Sequence, residues 1–150
     1  MTVRVAVAIT VGTTVLMATP ARPQGDRWER QVRQQLERAA ASLGARGAGR
    51  SLATSVGMLN TDEAEAFTLA LQAGMSYAVV GTCDEDCEKL ALVLADVTSH
   101  ELAADCASDN VPVVRVTPRE TASYRVKIVM VTCRLNPCRY GAAVLTLPAP

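Results

Sequence analysis

Two hydrophobic periods divide this sequence. Between residues 26 and 43, Trp28, Val32, Leu36, Ala39, Ala40 and Leu43 recur every three or four positions, while Arg30, Arg33, Glu37 and Arg38 lie largely off that stripe. Side chains spaced in this way share one face of an α-helix. Asp26 followed by Glu29 forms a capping box at its start, and Gly44 stands where a C′ residue ends it. Glu29 and Arg33 add an i,i+4 ion pair worth about a few tenths of a kcal/mol. The pattern predicts an amphipathic helix packed on the rest of the chain, the alternative being a membrane-surface or self-associating helix.

From residue 52 the period becomes two. Strands are expected over 52–59, 64–71 (Phe67, Leu69 and Leu71 on one face), 75–81, around Leu90, Leu92 and Leu94, and over 101–104. A further strand over 111–117 is placed at an edge or at a strand start by Pro112. In the next, Tyr124, Val126, Ile128 and Met130 alternate with Arg125, Lys127 and Val129, the clearest half-buried strand of the chain. The last is expected over 140–147. Turns fall at 60–63, 72–74, 96–100, 106–110 and 118–122, where Asn, Asp, Gly, Pro and Ser concentrate. Seven to eight short strands without helical spacers predict a mainly β fold, an antiparallel β-sandwich behind one N-terminal amphipathic helix.

Residues 1–21 carry Arg4, an apolar stretch from Val5 to Met17 broken only by threonines and Gly12, and a small residue at Pro20-Ala21. That is the pattern of a secretory signal peptide, and its apolar part is shorter than the ~20 residues that span a bilayer. The expected organisation is signal peptide 1–21, linker and helix 22–51 with a flexible stretch at 46–51, and a disulfide-stapled β-domain 52–150. No later stretch predicts a transmembrane segment, so secretion or a periplasmic location follows.

The series Gly57, Asp62, Phe67-Thr68-Leu69, Gly74 and Tyr77, then Leu90-Ala91-Leu92-Val93-Leu94-Ala95-Asp96, then Val116-Thr117-Pro118 and Tyr124-Arg125-Val126, resembles the bacterial pre-peptidase C-terminal (PPC) domain over roughly residues 52–147. The resemblance implies a jelly-roll-like β-sandwich, of the kind usually appended to exported proteases and other secreted enzymes. Many such domains carry aspartates before and within the strand matching Leu90–Leu94, and some bind calcium at their turns. Lys89 and Ala91 occupy those positions here, and no catalytic domain accompanies the module.

Charge is zero overall but unevenly spread. Residues 22–50 hold seven arginines against three acids (+4), residues 61–110 hold eleven acids against Lys89 (−10), and residues 111–150 hold six basic residues against Glu120 (+5). With aromatics at 3% and acids concentrated mid-chain, a nucleic-acid partner is not expected.

Five cysteines in an exported chain are candidates for disulfides. Cys83 and Cys87 flank Asp84-Glu85-Asp86, and Cys133 and Cys138 flank Arg134-Leu135-Asn136-Pro137. Chain entropy favours crossed pairs, at about 4 kcal/mol against about 2 for local ones, whereas turn-forming residues inside each pair favour neighbours. Local pairing, Cys83–Cys87 and Cys133–Cys138, is the expectation. Cys106 is left as a free thiol, for which burial is the usual fate, with an interchain bond or a reactive site as alternatives.

Asp84, Glu85, Asp86 and Glu88, together with Asp105 and Asp109, form the candidate binding site. Their commonest role is as solvated loop residues; as hard oxygen donors they could instead ligate calcium, provided the two loops are neighbours. No other cofactor is expected. A small secreted hydrolase would rest on Ser99 and His100, or on two carboxylates of the acidic loop, which almost any acidic loop would offer. No nucleophile elbow, phosphate loop or metal-ligand His pair supports it. The expected function is a non-catalytic binding or accessory module for an unknown protein or envelope polymer, with homodimerisation through Cys106 or the helix left open.

Overall fold

The computed structural model describes residues 25–44, 51–106 and 110–147. The expected signal peptide, the polar linker before residue 25, most of the 46–51 linker, Asp109 and the last three residues lie outside the described residues. The elements are α1 (Gly25–Ser42), β1 (Ser51–Leu59), β2 (Ala64–Leu71), β3 (Tyr77–Cys83), β4 (Cys87–Asp96), β5 (Glu101–Asp105), β6 (Val113–Val116), β7 (Ala122–Cys133) and β8 (Cys138–Thr146). Eight strands form two four-stranded antiparallel sheets, one in the order β1-β8-β3-β6 and the other β2-β7-β4-β5. Consecutive strands alternate between the sheets except at the β4–β5 hairpin, giving the double Greek-key path of a jelly roll.

The core lies between the sheets. Tyr77 and Val79 of β3, with Tyr140, Ala142 and Val144 of β8, face Leu90, Leu92 and Leu94 of β4 and the alternate residues Tyr124, Val126, Ile128 and Met130 of β7. Arg125 and Lys127 point to solvent, as their period-two spacing demands. Every residue of β3 is buried, and so are the seven residues from Cys138 to Leu145 other than Arg139. Such runs, without alternation, mark a sheet covered on both faces.

The second cover is α1. Val32 and Leu36 are buried, and Leu36 packs with Val80, Ala143 and Leu145 on the outer face of the first sheet. Fully burying two aliphatic side chains is worth about 3–6 kcal/mol gross, far more than propensity lends an 18-residue helix. The helix approaches the sheet at Gly141, where a Cβ would meet Val32 Cγ1 at 2.6 Å and Leu36 Cδ1 at 2.7 Å. Gly44 adopts φ +80° and closes the helix through Gly44 N–H donating to Ala41 O at 3.1 Å, as the C′ position requires. The helix begins at Gly25, one residue before the expected N-cap, and the Asp26 side chain lies outside the described residues.

Element boundaries differ from the expectations mainly at the cysteines. β3 starts at Tyr77 and runs on to Cys83, β4 starts at Cys87, and β7 extends to Cys133 with β8 starting at Cys138. The cysteines therefore end strands instead of bounding free loops. Cross-strand hydrogen bonding carries the ladder to the last residue, with Cys87 opposite Cys133 and Cys83 opposite Tyr140.

Candidate functional site

Four connections gather at one end of the sandwich: those joining β1 to β2, β3 to β4, β5 to β6 and β7 to β8. Two disulfides pin this end, Cys83–Cys87 with Cα atoms 5.9 Å apart and Cys133–Cys138 at 5.8 Å. All four sulfurs belong to buried residues. Each bond joins neighbours in sequence, because the intervening turns bring the Cα atoms within disulfide range.

Within the first loop, successive acids take different directions. Asp84 is only 6% exposed; its Oδ2 accepts from the backbone N–H of Arg139 at 2.8 Å, and its own N–H donates to Arg139 O at 3.0 Å. Asp84 thus fastens the β3–β4 turn to β8. Glu85 is exposed and gives only its backbone carbonyl, to Arg134 Nη2 at 2.8 Å. Asp86 and Glu88 face the same guanidinium, at 3.4 Å and 3.9 Å, and Arg134 N–H donates to Asp86 O at 2.8 Å. Arg134 therefore clips the two disulfide loops together. Exposed pairs of this kind contribute at most about 1 kcal/mol each, so backbone bonds carry most of the clip.

The β1–β2 turn is tied in by Thr61 and Asn136. Thr61 N–H donates to Asn136 Oδ1 at 2.9 Å, and Cys133 N–H donates to the Thr61 hydroxyl at 3.0 Å. Asn60 N–H donates to Glu63 Oε2 at 2.8 Å, which holds the Glu63 carboxyl below its ordinary range. The Asn136-Pro137 peptide is cis. On this braced frame the Leu135 side chain stands 69% exposed.

Asp105 reaches the same end by another route. It closes β5, and its Oδ2 accepts from Val113 N–H at 2.8 Å, joining the strands that cross between sheets. The β5–β6 loop touches the first disulfide, Asn110 O lying 3.7 Å from Cys83 Sγ. The two acidic loops are thus neighbours. Their carboxylates nonetheless turn to separate partners, and among the described residues no three His, Cys, Asp or Glu side chains converge on a point that could hold a metal ion. Asp109 lies outside the described residues. Cys106 is exposed, contrary to the burial usual for an unpaired cysteine, because it follows β5 directly into the loop.

At the opposite end, His100 and Ser99 sit in the exposed β4–β5 turn, with Ser99 at φ 67°. Asp96 Oδ1 accepts from Thr98 Oγ1, Thr98 N–H and His100 N–H at 2.6, 2.8 and 3.0 Å. The Thr98 hydroxyl, more than any other group, holds the Asp96 carboxyl below its ordinary range. This carboxylate closes a turn; His100 Nδ1 lies 4.0 Å from its other oxygen, too far for the hydrogen bond that orients a catalytic base.

Sequence pattern alone missed the three residues that organise the disulfide end: Arg134, Thr61 and Arg139. Their partners lie 48 to 75 positions away. Only Asn136, as a turn former between two cysteines, carried a local signal.

The fold defines a class, the PPC-like jelly-roll β-sandwich. No family model matches the sequence, nor does any curated protein. Among solved structures, the chain is similar to the pre-peptidase C-terminal domain of collagenase from Bacillus anthracis, with a TM-score of 0.50 and 15% identity over 61% of this chain and 87% of that one. It is also similar to PliG of Aeromonas hydrophila, a periplasmic inhibitor of g-type lysozyme, with a TM-score of 0.48 and 12% identity over 67% of this chain and 90% of that one. At 15% identity the likeness to the collagenase domain establishes the fold alone.

Proposed function

We propose that this chain is an exported, non-catalytic binding module that holds a protein or envelope-polymer partner against the disulfide end of its sandwich. One observation carries the reading: four loops braced by two disulfides and the Arg134 clip present Leu135 at 69% exposure. A loop that is already braced loses little backbone freedom on binding, so more of an apolar contact made there is left as net affinity. Glu85, Asn136 and the edge of Arg134 supply a polar rim. Two disulfides buried at strand ends fit an oxidising compartment, and among the described residues no helix is long and apolar enough to cross a membrane. Of the acidic residues singled out in the sequence, Asp84, Asp86 and Asp105 serve this surface chiefly as its frame, with Glu85 and Glu88 exposed on it.

The test is retention of components from an envelope extract on immobilised protein. Leu135→Asp, which leaves the buried frame untouched, is expected to reduce retention of a specific component at least tenfold, with Glu85→Lys weakening it less. Equal retention by wild type and Leu135→Asp, with both melting at the same temperature, would remove the loop end as the contact surface.

A further inference from the structure

Four strands form the edges of the two sheets, and three of them are short or charged. β6 has four residues and carries Arg115; β5 has five, with Glu101 and Asp105; β2 carries Glu65. β1 is the exception. Its nine residues, Ser51-Leu52-Ala53-Thr54-Ser55-Val56-Gly57-Met58-Leu59, contain no charge and no proline, and among the described residues its one hydrogen-bonded neighbour in the sheet is β8. Charges, prolines and shortness are what keep edge strands from pairing with other chains. β1 is the longest edge and has none of them.

The face beside this edge is open as well. α1 lies over β8 and β3, leaving a trough of about 520 Å³ bounded by Glu29 and Arg33 of the helix and floored by Thr54, Val56 and Met58. Met58 is 51% exposed and Leu52 52%. The register slips between Ser51 and Ala53, so the regular part of the strand runs from Ala53 to Leu59 and is centred on Val56.

We infer that β1 is the interface for a second copy of this chain, pairing antiparallel with its counterpart about a two-fold axis at Val56 to make one continuous eight-stranded sheet. An isologous contact requires a patch that complements itself. Here Thr54 meets Met58 of the copy on the outer face, Ala53 meets Leu59 on the inner face, and no like charges oppose each other along the strand. The chain's formal net charge of zero removes whole-molecule repulsion between copies. A foreign strand would have to bring its own matching row of uncharged side chains to do the same, whereas a second copy carries that row already. The two loop ends then point in opposite directions, giving a module with two contact surfaces. The inference does not depend on the loop-end reading, and either can fail alone.

The test uses the chain with Cys106→Ser, which removes intermolecular disulfides as a competing route, and sedimentation velocity from micromolar to sub-millimolar concentration. Wild-type β1 is expected to give a dimer. Val56→Lys and Val56→Glu should each be monomeric, because each sets like charges opposite one another at the axis, and an equimolar mixture of the two should recover the dimer. Val97→Lys, exposed in the far turn, should leave it intact. As a second measurement, Val56→Cys should oxidise to a covalent dimer, since directly opposed residues sit about 4.5–5.5 Å apart, within disulfide range. A monomer at every concentration, a dimer that survives both charged variants, a mixture that stays monomeric, or a Val56→Cys chain that stays uncrosslinked would each overturn the inference.

Discussion

Gly141 and Tyr140 stand side by side in β8 and face opposite layers. Gly141 turns to the helix, and adding a methyl group there would collide with Val32 and Leu36. Gly→Ala in a strand gains about 0.4–1 kcal/mol by restricting the unfolded chain, but overpacking between two side chains already held buried costs about 1–3 kcal/mol. The clash wins, so Gly141→Ala should lower stability by about 1–2 kcal/mol and speed amide exchange throughout α1 while sparing the sandwich. Exchange mass spectrometry separates that outcome from uniform destabilisation. Tyr140 turns to the core, its hydroxyl 3.4 Å from Ser55 Oγ. Burial, with the Glu65 carboxylate adding to it, pushes the phenol up from 10.0 to about 12, against a smaller opposing effect of Ser55. A raised folded pKa leaves this contribution complete below pH 10 and removes it between pH 10 and 12, as the unfolded chain loses its proton first. The unfolding free energy of wild type, read from denaturant titrations, should therefore fall over that window by about 2 kcal/mol more than that of Tyr140→Phe, solvent screening included.

At the level of elements, the strands and the helix were readable because their signal is periodic and local. Tyr124 to Met130 alternates over seven residues and occupies a strand with one face in the core; 64–71 is β2 residue for residue. What alternation could not convey is which strands are covered twice. β3 and β8 read as apolar runs, and their outer face is buried only because α1, a hundred residues from β8, lies on it. The acidic site was legible only as a cluster along the chain. A turn sends adjacent side chains opposite ways, so Asp84 points into the frame while Glu85 points out, and Arg134 comes from a loop that no local pattern links to them. The disulfides were more accessible to reasoning, since a turn between neighbouring cysteines limits the geometry. Each closes a ring of five or six residues, for which chain entropy gives about 2 kcal/mol. Cys83→Ser/Cys87→Ser should lose at least that much in chemical denaturation, with the loss of buried packing added to it.

For the molecule as a whole, the layers number three: helix, first sheet and second sheet, with the main core between the two sheets. The outer face of the second sheet, with Arg125 and Lys127, meets solvent, so polarity as well as shape distinguishes the two sides. Of the candidate calcium ligands, Asp86 and Glu88 face Arg134, one oxygen of Asp84 is taken by Arg139 N–H and one of Asp105 by Val113 N–H, while Glu85 points to solvent. The melting temperature is accordingly expected to stay within about 1 °C on adding EDTA and then millimolar calcium. A shift of several degrees, the size that binding worth 1 kcal/mol or more produces in a domain this small, would show that residues outside the described set complete a site.

Because each sulfur finds its mate four or five residues away, correct oxidation asks nothing of the distant parts of the chain. A nascent polypeptide could lock both loops while the sheets are still unassembled, and scrambling with Cys106, at least 19 positions from any other cysteine, would be disfavoured by simple encounter odds. The oxidant that meets this protein therefore needs only to form bonds, without an isomerase to reshuffle them.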